Sequence, residues 1–302
     1  MVEKINLTFL GTGSSIPTAR RNHPAVLLRY KGENVLVDCG DGTQRQFRKA
    51  WLNPCKITKI LISHWHGDHV LGLPGLLMTM VKNGYNKSLE IYGPRGTNEK
   101  VRQYFDLFAA KGQDLDVKVK EVSSGVIFDG GDFFVECCEV DHDCPAVAYS
   151  FVVKEKARLD KGKLAKLKIG NSPLVGELAK GKVVAINGKK VDGKKLIFRE
   201  GQRKVSFVMD TRYNDSIVKF VKGSDLLVSE ATYSEKEKEL AEEYGHLTSV
   251  GAAKIAKKAK VKSLVLVHLS QRYDEIPKVI LKEAAAVFKN VRVVEDLDEV
   301  EL

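Results

Sequence analysis

The stretch His64-Trp65-His66-Gly67-Asp68-His69 places four metal-ligating side chains within six residues. It follows the apolar segment Lys59–Ser63, predicted to be a strand, and precedes the apolar segment Leu71–Val81, predicted to be a helix. A loop between a strand and a helix can direct several side chains to one point at a sheet edge. Imidazoles and carboxylates suit zinc and similar divalent ions. His64 and His66 are two residues apart, so on an extended backbone they face one way, and Asp68 and His69 can face a second ion.

Three further candidate ligands also follow predicted strands. His142 comes after Phe133–Val140, Asp210 after Val205–Met209, and His268 after Ser263–Val267. The seven candidate metal ligands are therefore His64, His66, Asp68, His69, His142, Asp210 and His268. Seven ligands are enough for two ions if one carboxylate bridges them.

The composition is that of a folded protein in a reducing compartment. The chain has 302 residues, 43% hydrophobic and 29% charged, which fits one large domain or two small ones. We find no apolar run long enough to span a membrane and no secretion signal at the N-terminus. The five cysteines include no CxxC pair, so we expect inert thiols and a cytoplasmic location.

The positive charge is local. The net charge is +10, and the segment Lys154–Lys204 alone has 16 Lys or Arg against 5 Asp or Glu. Such a surplus suits contact with a phosphate backbone, because neutralised phosphates release counterions. A solvated, lysine-rich insertion without a partner is the alternative interpretation.

The order of predicted elements indicates the fold class. Ala25–Tyr30 and Asn34–Asp38 form a predicted hairpin in a strand-rich first portion, and strands alternate with helices toward the end. Thr248 is predicted to cap a helix that reaches Lys258. A second helix is predicted over Glu275–Phe288, with Pro277 in its first turn. We expect an α/β fold with two sheets covered by helices.

The ligand pattern resembles the metallo-β-lactamase superfamily, whose hallmark is H-x-H-x-D-H followed by a later His, an Asp and a last His. Within it, the chain resembles the ribonuclease Z family, endonucleases that trim the 3′ trailer from precursor tRNA. The narrower resemblance rests on Phe9–Ser14, Pro17–Asn22, Ser229–Thr232 and His246–Ser249. It covers essentially the whole chain at the length of the family's short form.

The resemblance implies a fold, a ligand arrangement and an RNA-binding arm. The fold is an αββα sandwich of residues 1–302 with a protruding basic arm inserted at about 154–204. One zinc ion is held by His64, His66, His142 and Asp210, and a second by Asp68, His69, Asp210 and His268. The arm binds tRNA through lysines, for which the candidates are Lys161, Lys163, Lys166, Lys168, Lys180 and Lys182. Ala19, Ser172 and Ser229 depart from the family's usual residues.

A catalytic scheme follows for these residues. Two ions can share a hydroxide that attacks phosphorus, with Asp68 orienting it. His246 is the candidate acid for the leaving 3′-oxygen, and Glu230 holds that imidazole. A structural role near a helix cap is the alternative for His246, and His23 is interpreted as structural.

Other functions compete with this one. A small-molecule hydrolase or phosphodiesterase of the superfamily keeps the ligands but has little use for the basic insertion or the Glu230–His246 pair. An RNA-binding module without catalysis does not need paired open metal sites. A 5′-3′ exonuclease or cleavage-factor type requires a large inserted domain for which 302 residues leave no room.

The expected ligands and partners are two Zn²⁺ per subunit, replaceable by Mn²⁺ or Co²⁺, and precursor tRNA. The resemblance also implies a homodimer in which the arm of one subunit serves the site of the other. We expect no nucleotide cofactor and no membrane association.

Overall fold

Two seven-stranded sheets organise the larger of the two units into which the chain divides. The computed structural model describes residues 3–108, 115–168, 172–186 and 188–302. The larger unit comprises Met1–Asp129, Val135–Phe151 and Lys204–Leu302, and the smaller unit comprises Gly130–Phe134 and Val152–Arg203.

The first sheet has the order β18-β1-β2-β3-β4-β5-β6. Its strands are β1 Ile5–Gly11, β2 Ala25–Tyr30, β3 Glu33–Val37, β4 Lys59–Leu61, β5 Leu89–Gly93, β6 Val117–Glu121 and β18 Glu299–Glu301. β3 to β6 run parallel, and β1, β2 and β18 pair antiparallel. Ile60 packs in the cluster beneath the helices, while its neighbour Leu61 is buried outside that cluster, as expected for a strand covered on both faces.

The second sheet has the order β17-β16-β15-β14-β9-β8-β7. Its strands are β7 Gly125–Asp129, β8 Phe133–Glu139, β9 Val147–Val153, β14 Arg203–Val208, β15 Leu226–Glu230, β16 Leu264–Val267 and β17 Val291–Val293. β14 to β17 are parallel. β8 and β9 are joined by a connection too short for a parallel crossover, so this sheet is mixed as well.

Direct contacts join the two sheets. Tyr149 of β9 donates a hydrogen bond from its hydroxyl to the carbonyl of Ile62, at 2.8 Å. The rings of Tyr30 and Phe151 meet edge to face, with centroids 5.6 Å apart. The predicted fold of two sheets flanked by helices is confirmed.

Ten α-helices lie among the described residues. They are α1 Thr43–Lys49, α2 Gly67–Val70, α3 Leu73–Lys82, α4 Thr97–Phe108, α5 Lys161–Lys166, α6 Pro173–Ala179, α7 Asp215–Phe220, α8 Lys238–Glu243, α9 Ser249–Lys258 and α10 Lys278–Val287. Thr248 caps α9 as predicted, its hydroxyl accepting from the Gly251 amide. The last helix starts later than predicted, because Pro277 lies at the N-cap of α10 and not within its first turn.

The smaller unit has two antiparallel strand pairs and a small apolar core of its own. β10 Lys156–Leu159 pairs with β13 Ile197–Glu200, and β11 Val183–Ile186 pairs with β12 Lys189–Asp192. Leu178, Ile186 and Leu196 are its buried apolar cluster. Asp160 caps α5 and Ser172 caps α6 through their side chains.

Among the described residues, every helix falls short of the length and apolar character that a bilayer crossing requires.

Candidate metal centre and active site

The candidate ligands lie where strands of the larger unit end. His64 and His66 follow β4, and Asp68 and His69 lie in α2. His142 lies in the connection between β8 and β9, Asp210 follows β14, and His268 follows β16. β4 lies in the first sheet and β8, β14 and β16 lie in the second, so the side chains that meet here come from the ends of strands in both sheets.

A first group joins His64, His66, His142 and Asp210, whose ligand atoms all lie within 4.8 Å of one another. His64 Nε2 is 3.5 Å from Asp210 Oδ2, and His142 Nε2 is 3.2 Å from His66 Nδ1.

A second group joins Asp68, His69, Asp210 and His268 within the same distance limit. His69 Nε2 is 3.4 Å from both Asp68 Oδ2 and Asp210 Oδ2. His268 Nε2 is 3.3 Å from Asp68 Oδ2 and 3.2 Å from Asp210 Oδ1. Asp210 belongs to both groups and would be the carboxylate shared by two ions.

Contacts at Nδ1 orient four of the imidazole rings so that Nε2 faces into these groups. Asp38 accepts from His69 Nδ1 at 2.8 Å, and the Gly245 carbonyl accepts from His142 Nδ1 at 3.0 Å. The Ser63 hydroxyl donates a hydrogen bond to Asp38, and its oxygen lies 3.0 Å from His64 Nδ1. The Thr232 hydroxyl donates a hydrogen bond to Glu230, and its oxygen lies 2.8 Å from His268 Nδ1. Each Nδ1 is therefore engaged outside the two groups, and each Nε2 faces into them as the nitrogen available to a metal ion.

Orphaned buried atoms test whether these residues fit metal ions. Within the described part of the chain, His64 Nε2 and Asp210 Oδ1 are buried without a hydrogen-bond partner. A buried polar atom without a partner is costly, so such atoms require an explanation. Divalent cations at the two groups supply it, and a set of imidazoles and carboxylates is the chemistry that zinc favours. The residues present therefore fit divalent metal ions.

Burial and the neighbouring charged side chains shift the pKa values of the site residues. Burial lowers the pKa of His64 well below its usual value. At His69 burial acts the same way, but Asp210, Asp38 and Asp68 outweigh it and raise the pKa well above the usual value. Asp210 is held ionised because the histidines around it lower its pKa despite full burial.

Two site residues have left-handed backbone conformations. Asp38 has φ 57° and His268 has φ 58°. Such values are uncommon outside glycine and concentrate at functional sites, where the surrounding contacts hold them.

Glu230 and His246 form a pair beside the ligand groups. Glu230 is fully buried and accepts from the Thr211 amide at 2.9 Å and from the Thr232 hydroxyl at 2.6 Å. His246 Nδ1 lies 3.3 Å from Glu230 Oε1 and 3.8 Å from Asp210 Oδ2. Burial lowers the pKa of His246, but Glu230 and Asp210 outweigh it and raise that pKa to about 9.

Several residues of the site escaped the sequence analysis. Asp38, Ser63 and Thr232 orient ligands without being ligands themselves. Asp38 directly follows β3, so the strand-end rule that found Asp210 also applies to it. His23 lies outside the ligand groups, with Nε2 3.3 Å from the Ser15 carbonyl. Cys144 also lies outside them, and burial raises its pKa, as expected for an inert thiol.

Comparison with known proteins identifies the family. The chain is 37% identical to ribonuclease Z of Methanothermobacter thermautotrophicus over 99% of this chain and 97% of that protein. It is 37% identical to ribonuclease Z of Bradyrhizobium diazoefficiens over 97% of this chain and 98% of that protein. The chain belongs to the ribonuclease Z family. As a member of the ribonuclease Z family it is an endoribonuclease, a hydrolase of phosphodiester bonds.

Solved structures agree with this membership. The crystal structure of human tRNase Z, short form, has a TM-score of 0.71 and 30% identity, covering 98% of both chains. The metallo-β-lactamase fold protein YhfI from Bacillus subtilis has a TM-score of 0.72 at 20% identity, covering 99% of this chain and 100% of that one. The second likeness shows the fold alone.

The sequence model of a second family, described as anti-Pycsar protein Apyc1, matches residues 5–158. This is about half of the chain, which therefore belongs to that family too. The matched range contains His64, His66, Asp68, His69 and His142 and ends before Asp210, Glu230, His246 and His268. The match thus covers only the first half of the candidate site, whereas the ribonuclease Z relatives cover all of it.

Proposed function

We propose that this protein removes the 3′ trailer from precursor tRNA by a zinc-dependent cut after the discriminator base. The products are a tRNA with a 3′-hydroxyl and a trailer with a 5′-phosphate. One observation supports this most: seven ligand side chains converge in two groups with the Glu230–His246 pair directly beside them. The name of the human relative, tRNase Z, also indicates a nuclease that acts on tRNA for that protein.

Two divalent cations per subunit fit the two groups. His64, His66, His142 and Asp210 would hold one, and Asp68, His69, Asp210 and His268 would hold the other. Zn²⁺ suits the histidines, and Mn²⁺ or Co²⁺ are substitutes. When bound, such ions lower the pKa of water toward neutrality and neutralise phosphoryl oxygens.

Asp68 positions the attacking water. Its recorded contacts to His69 and His268 both use Oδ2. Oδ1 is therefore placed to accept a hydrogen bond from the water, whose oxygen forms the new bond to phosphorus. The bond from phosphorus to the 3′-oxygen breaks, so the phosphate stays on the trailer.

His246 delivers the proton that the leaving 3′-oxygen needs. Its Nδ1 faces Glu230, so Nε2 is the donor toward the substrate. Glu230 is itself fixed by Thr211 and Thr232, and it therefore fixes the imidazole ring and stabilises its positive charge.

The lysines of the smaller unit supply a surface for the RNA backbone. Lys161, Lys163, Lys166, Lys168, Lys180 and Lys182 are all exposed. Lys180 and Lys182 both pair with Glu177, whereas no ion pair is recorded for Lys161, Lys166 and Lys168 among the described residues. The last three are therefore the more available phosphate contacts.

The test is to incubate the purified protein with a 3′-extended precursor tRNA, with and without a chelator, and to map the new ends. A chelator-sensitive cut after the discriminator base that leaves a 3′-hydroxyl supports the proposal. No cut in the presence of Zn²⁺ and Mn²⁺ overturns it. If a small phosphodiester is still hydrolysed under those conditions, the substrate is a smaller ester, the alternative that the sequence analysis left open.

We also propose that the protein is a homodimer acting in the cytoplasm. The support is the resemblance to a family in which the arm of one subunit holds tRNA for the site of its partner. Light scattering at the concentration of the cleavage assay tests the dimer, and a monomer under those conditions contradicts it.

A further inference from the structure

Trp51 is exposed in a way that folding does not explain. Its side chain is 95% exposed, and its φ is 56°, in the left-handed region. It follows α1 in a Schellman arrangement, in which the Leu52 amide bonds to the Phe47 carbonyl at 2.9 Å. Glycine or asparagine suits that position, because a bulky side chain there is strained. Trp51 thus carries strain without gaining burial, which points to a role in binding.

The segment of chain that contains Trp51 is rich in exposed cations. Between residues 42 and 89 the sequence has seven Lys or Arg and one acidic residue, the candidate ligand Asp68. Lys59 is buried with Glu33 and Glu90, but the other six are exposed: Arg45, Arg48, Lys49, Lys56, Lys82 and Lys87. Within the described residues, no ion pair is recorded for any of these six. This excess lies outside the basic segment 154–204.

A cleft of about 400 Å³ adjoins the indole. It is lined by Arg48, Trp51, Leu52, Asn53, Pro54 and Asn83. The lining combines an aromatic face, a guanidinium and amides, with no acidic side chain. An exposed aromatic with neighbouring cations is the combination that binds single-stranded nucleic acid, because bases stack on the ring and phosphates pair with the cations.

The helix α1 connects this cleft with the candidate active site. The loop before α1 contacts the ligand segment, since the Cys39 amide bonds to the His69 carbonyl at 2.8 Å. A β-carbon at Gly40 would lie 2.4 Å from the Asp68 carbonyl, so these backbones touch. The seven residues of α1 span about 10 Å. At 3.4 Å per nucleotide of a stacked strand, that is about three nucleotides.

The chemistry sets which strand runs toward α1. The 3′-oxygen that leaves belongs to the upstream RNA, so the upstream strand lies on the side of His246. His246 reaches the ligand groups through Asp210 and Glu230, whereas α1 starts beside Asp68 and His69. The strand downstream of the scissile bond is therefore directed toward α1.

We infer that the cleft beside Trp51 binds the single-stranded trailer, with one base stacked on the indole several nucleotides downstream of the cut. This inference rests on the proposed function for the identity of the RNA. It predicts that trailers of about five nucleotides or more gain affinity from Trp51 and that shorter ones do not.

The test measures binding of two 5′-phosphorylated single-stranded RNAs, a 2-mer and a 12-mer, which correspond to trailer products. We expect the 12-mer to quench the fluorescence of Trp51 and to shield it from iodide; Trp65, the other tryptophan, is partly buried and donates to Thr97. Trp51→Asn, which suits the left-handed backbone, should raise the Kd of the 12-mer by about 5- to 150-fold, the range for one lost base stack. The 2-mer should bind both proteins equally. Leu107→Asn, at a side chain 73% exposed on α4, is the matched control and should change neither Kd.

Cleavage assays separate this inference from the proposed function. Trp51→Asn should raise KM for a precursor tRNA with a 12-nucleotide trailer at unchanged kcat and leave a 2-nucleotide trailer unaffected. If the wild type cuts no precursor tRNA but the Trp51-dependent binding of the 12-mer holds, the proposed function fails and the RNA site stands. If Trp51→Asn binds the 12-mer like the wild type, the RNA site is overturned. It is also overturned if rising protein concentration alone shields Trp51, because its occupant is then a second copy of the chain.

Discussion

The candidate metal centre and the smaller unit differ in how their charged side chains are placed and paired. At the centre, His64, His69, Asp210 and His268 are buried, and histidines and carboxylates compensate one another over 3.2–3.5 Å. In the smaller unit, exposed lysines carry an excess of positive charge over a core of three buried side chains. Chemistry at one phosphorus atom requires fixed geometry, whereas attraction of a polyanion requires charge without a fixed position. The two regions should therefore respond differently to substitution.

The largest effect is expected at Asp210, which both ligand groups share. Asp210→Ala should reduce cleavage of precursor tRNA and of a small phosphodiester together by more than about 10⁴-fold, beyond the loss expected from a general acid alone. Elemental analysis of the purified variant should show loss of bound metal. Asp215→Ala, an exposed carboxylate on α7, is the control and should change neither quantity. Full metal content with full activity in Asp210→Ala would contradict the bridging role.

A smaller effect, confined to the chemical step, is expected at His246. His246→Gln should lower kcat by about 10²- to 10⁴-fold at unchanged KM and metal content. Glu230→Gln should lower kcat by about 10- to 100-fold, because Glu230 acts through the orientation of His246. A substrate with sulfur in place of the leaving 3′-oxygen needs no proton donor, so it should restore the rate of His246→Gln. A purely structural role predicts no such rescue.

Substitutions in the smaller unit should affect binding and not chemistry. Replacing Lys161, Lys166 and Lys168 by Ala should weaken precursor tRNA binding and reduce the salt slope of log K by up to about three. Replacing Lys180 and Lys182 should have less effect, because Glu177 already pairs with both. Hydrolysis of a small phosphodiester should stay unchanged in both variants.

A deletion tests the same separation at the scale of the whole segment. Replacing Leu159–Lys195 by a short Gly-Ser linker should severely reduce cleavage of precursor tRNA and spare that of the small ester. Equal loss of both activities would show that the segment is part of the catalytic fold.

The sequence predicted the fold and the convergence of the ligands because both follow from local patterns. Apolar strands followed directly by His or Asp are visible in one dimension, and strand ends are where a sheet presents functional side chains. The structure places all seven candidate ligands in the two groups, although their binding of metal remains a prediction.

The rest of the site depends on contacts between distant segments. Thr232 holds His268 across 36 positions, and the Gly245 carbonyl holds His142 across 103. A threonine hydroxyl or a backbone carbonyl has no distinctive pattern in sequence, so these partners could not be found there. Trp51 gave no signal either, because only the backbone conformation and the exposure set it apart.

The smallest effect on catalysis is expected from Leu178→Ala, in the core of the smaller unit. Leu178 is fully buried, so the substitution should destabilise that unit by about 2–5 kcal/mol. Among the described residues, two other side chains, Ile186 and Leu196, are buried in this core, so the unit should open first, and amide hydrogen exchange within 156–200 should accelerate. Hydrolysis of a small phosphodiester should change by less than about two-fold. Leu76→Ala, at a fully buried position of the larger unit, is the control and should leave exchange in the smaller unit unchanged. If Leu178→Ala instead accelerates exchange in both units equally, the chain unfolds as one cooperative structure, and the contrast between the two regions does not extend to their stability.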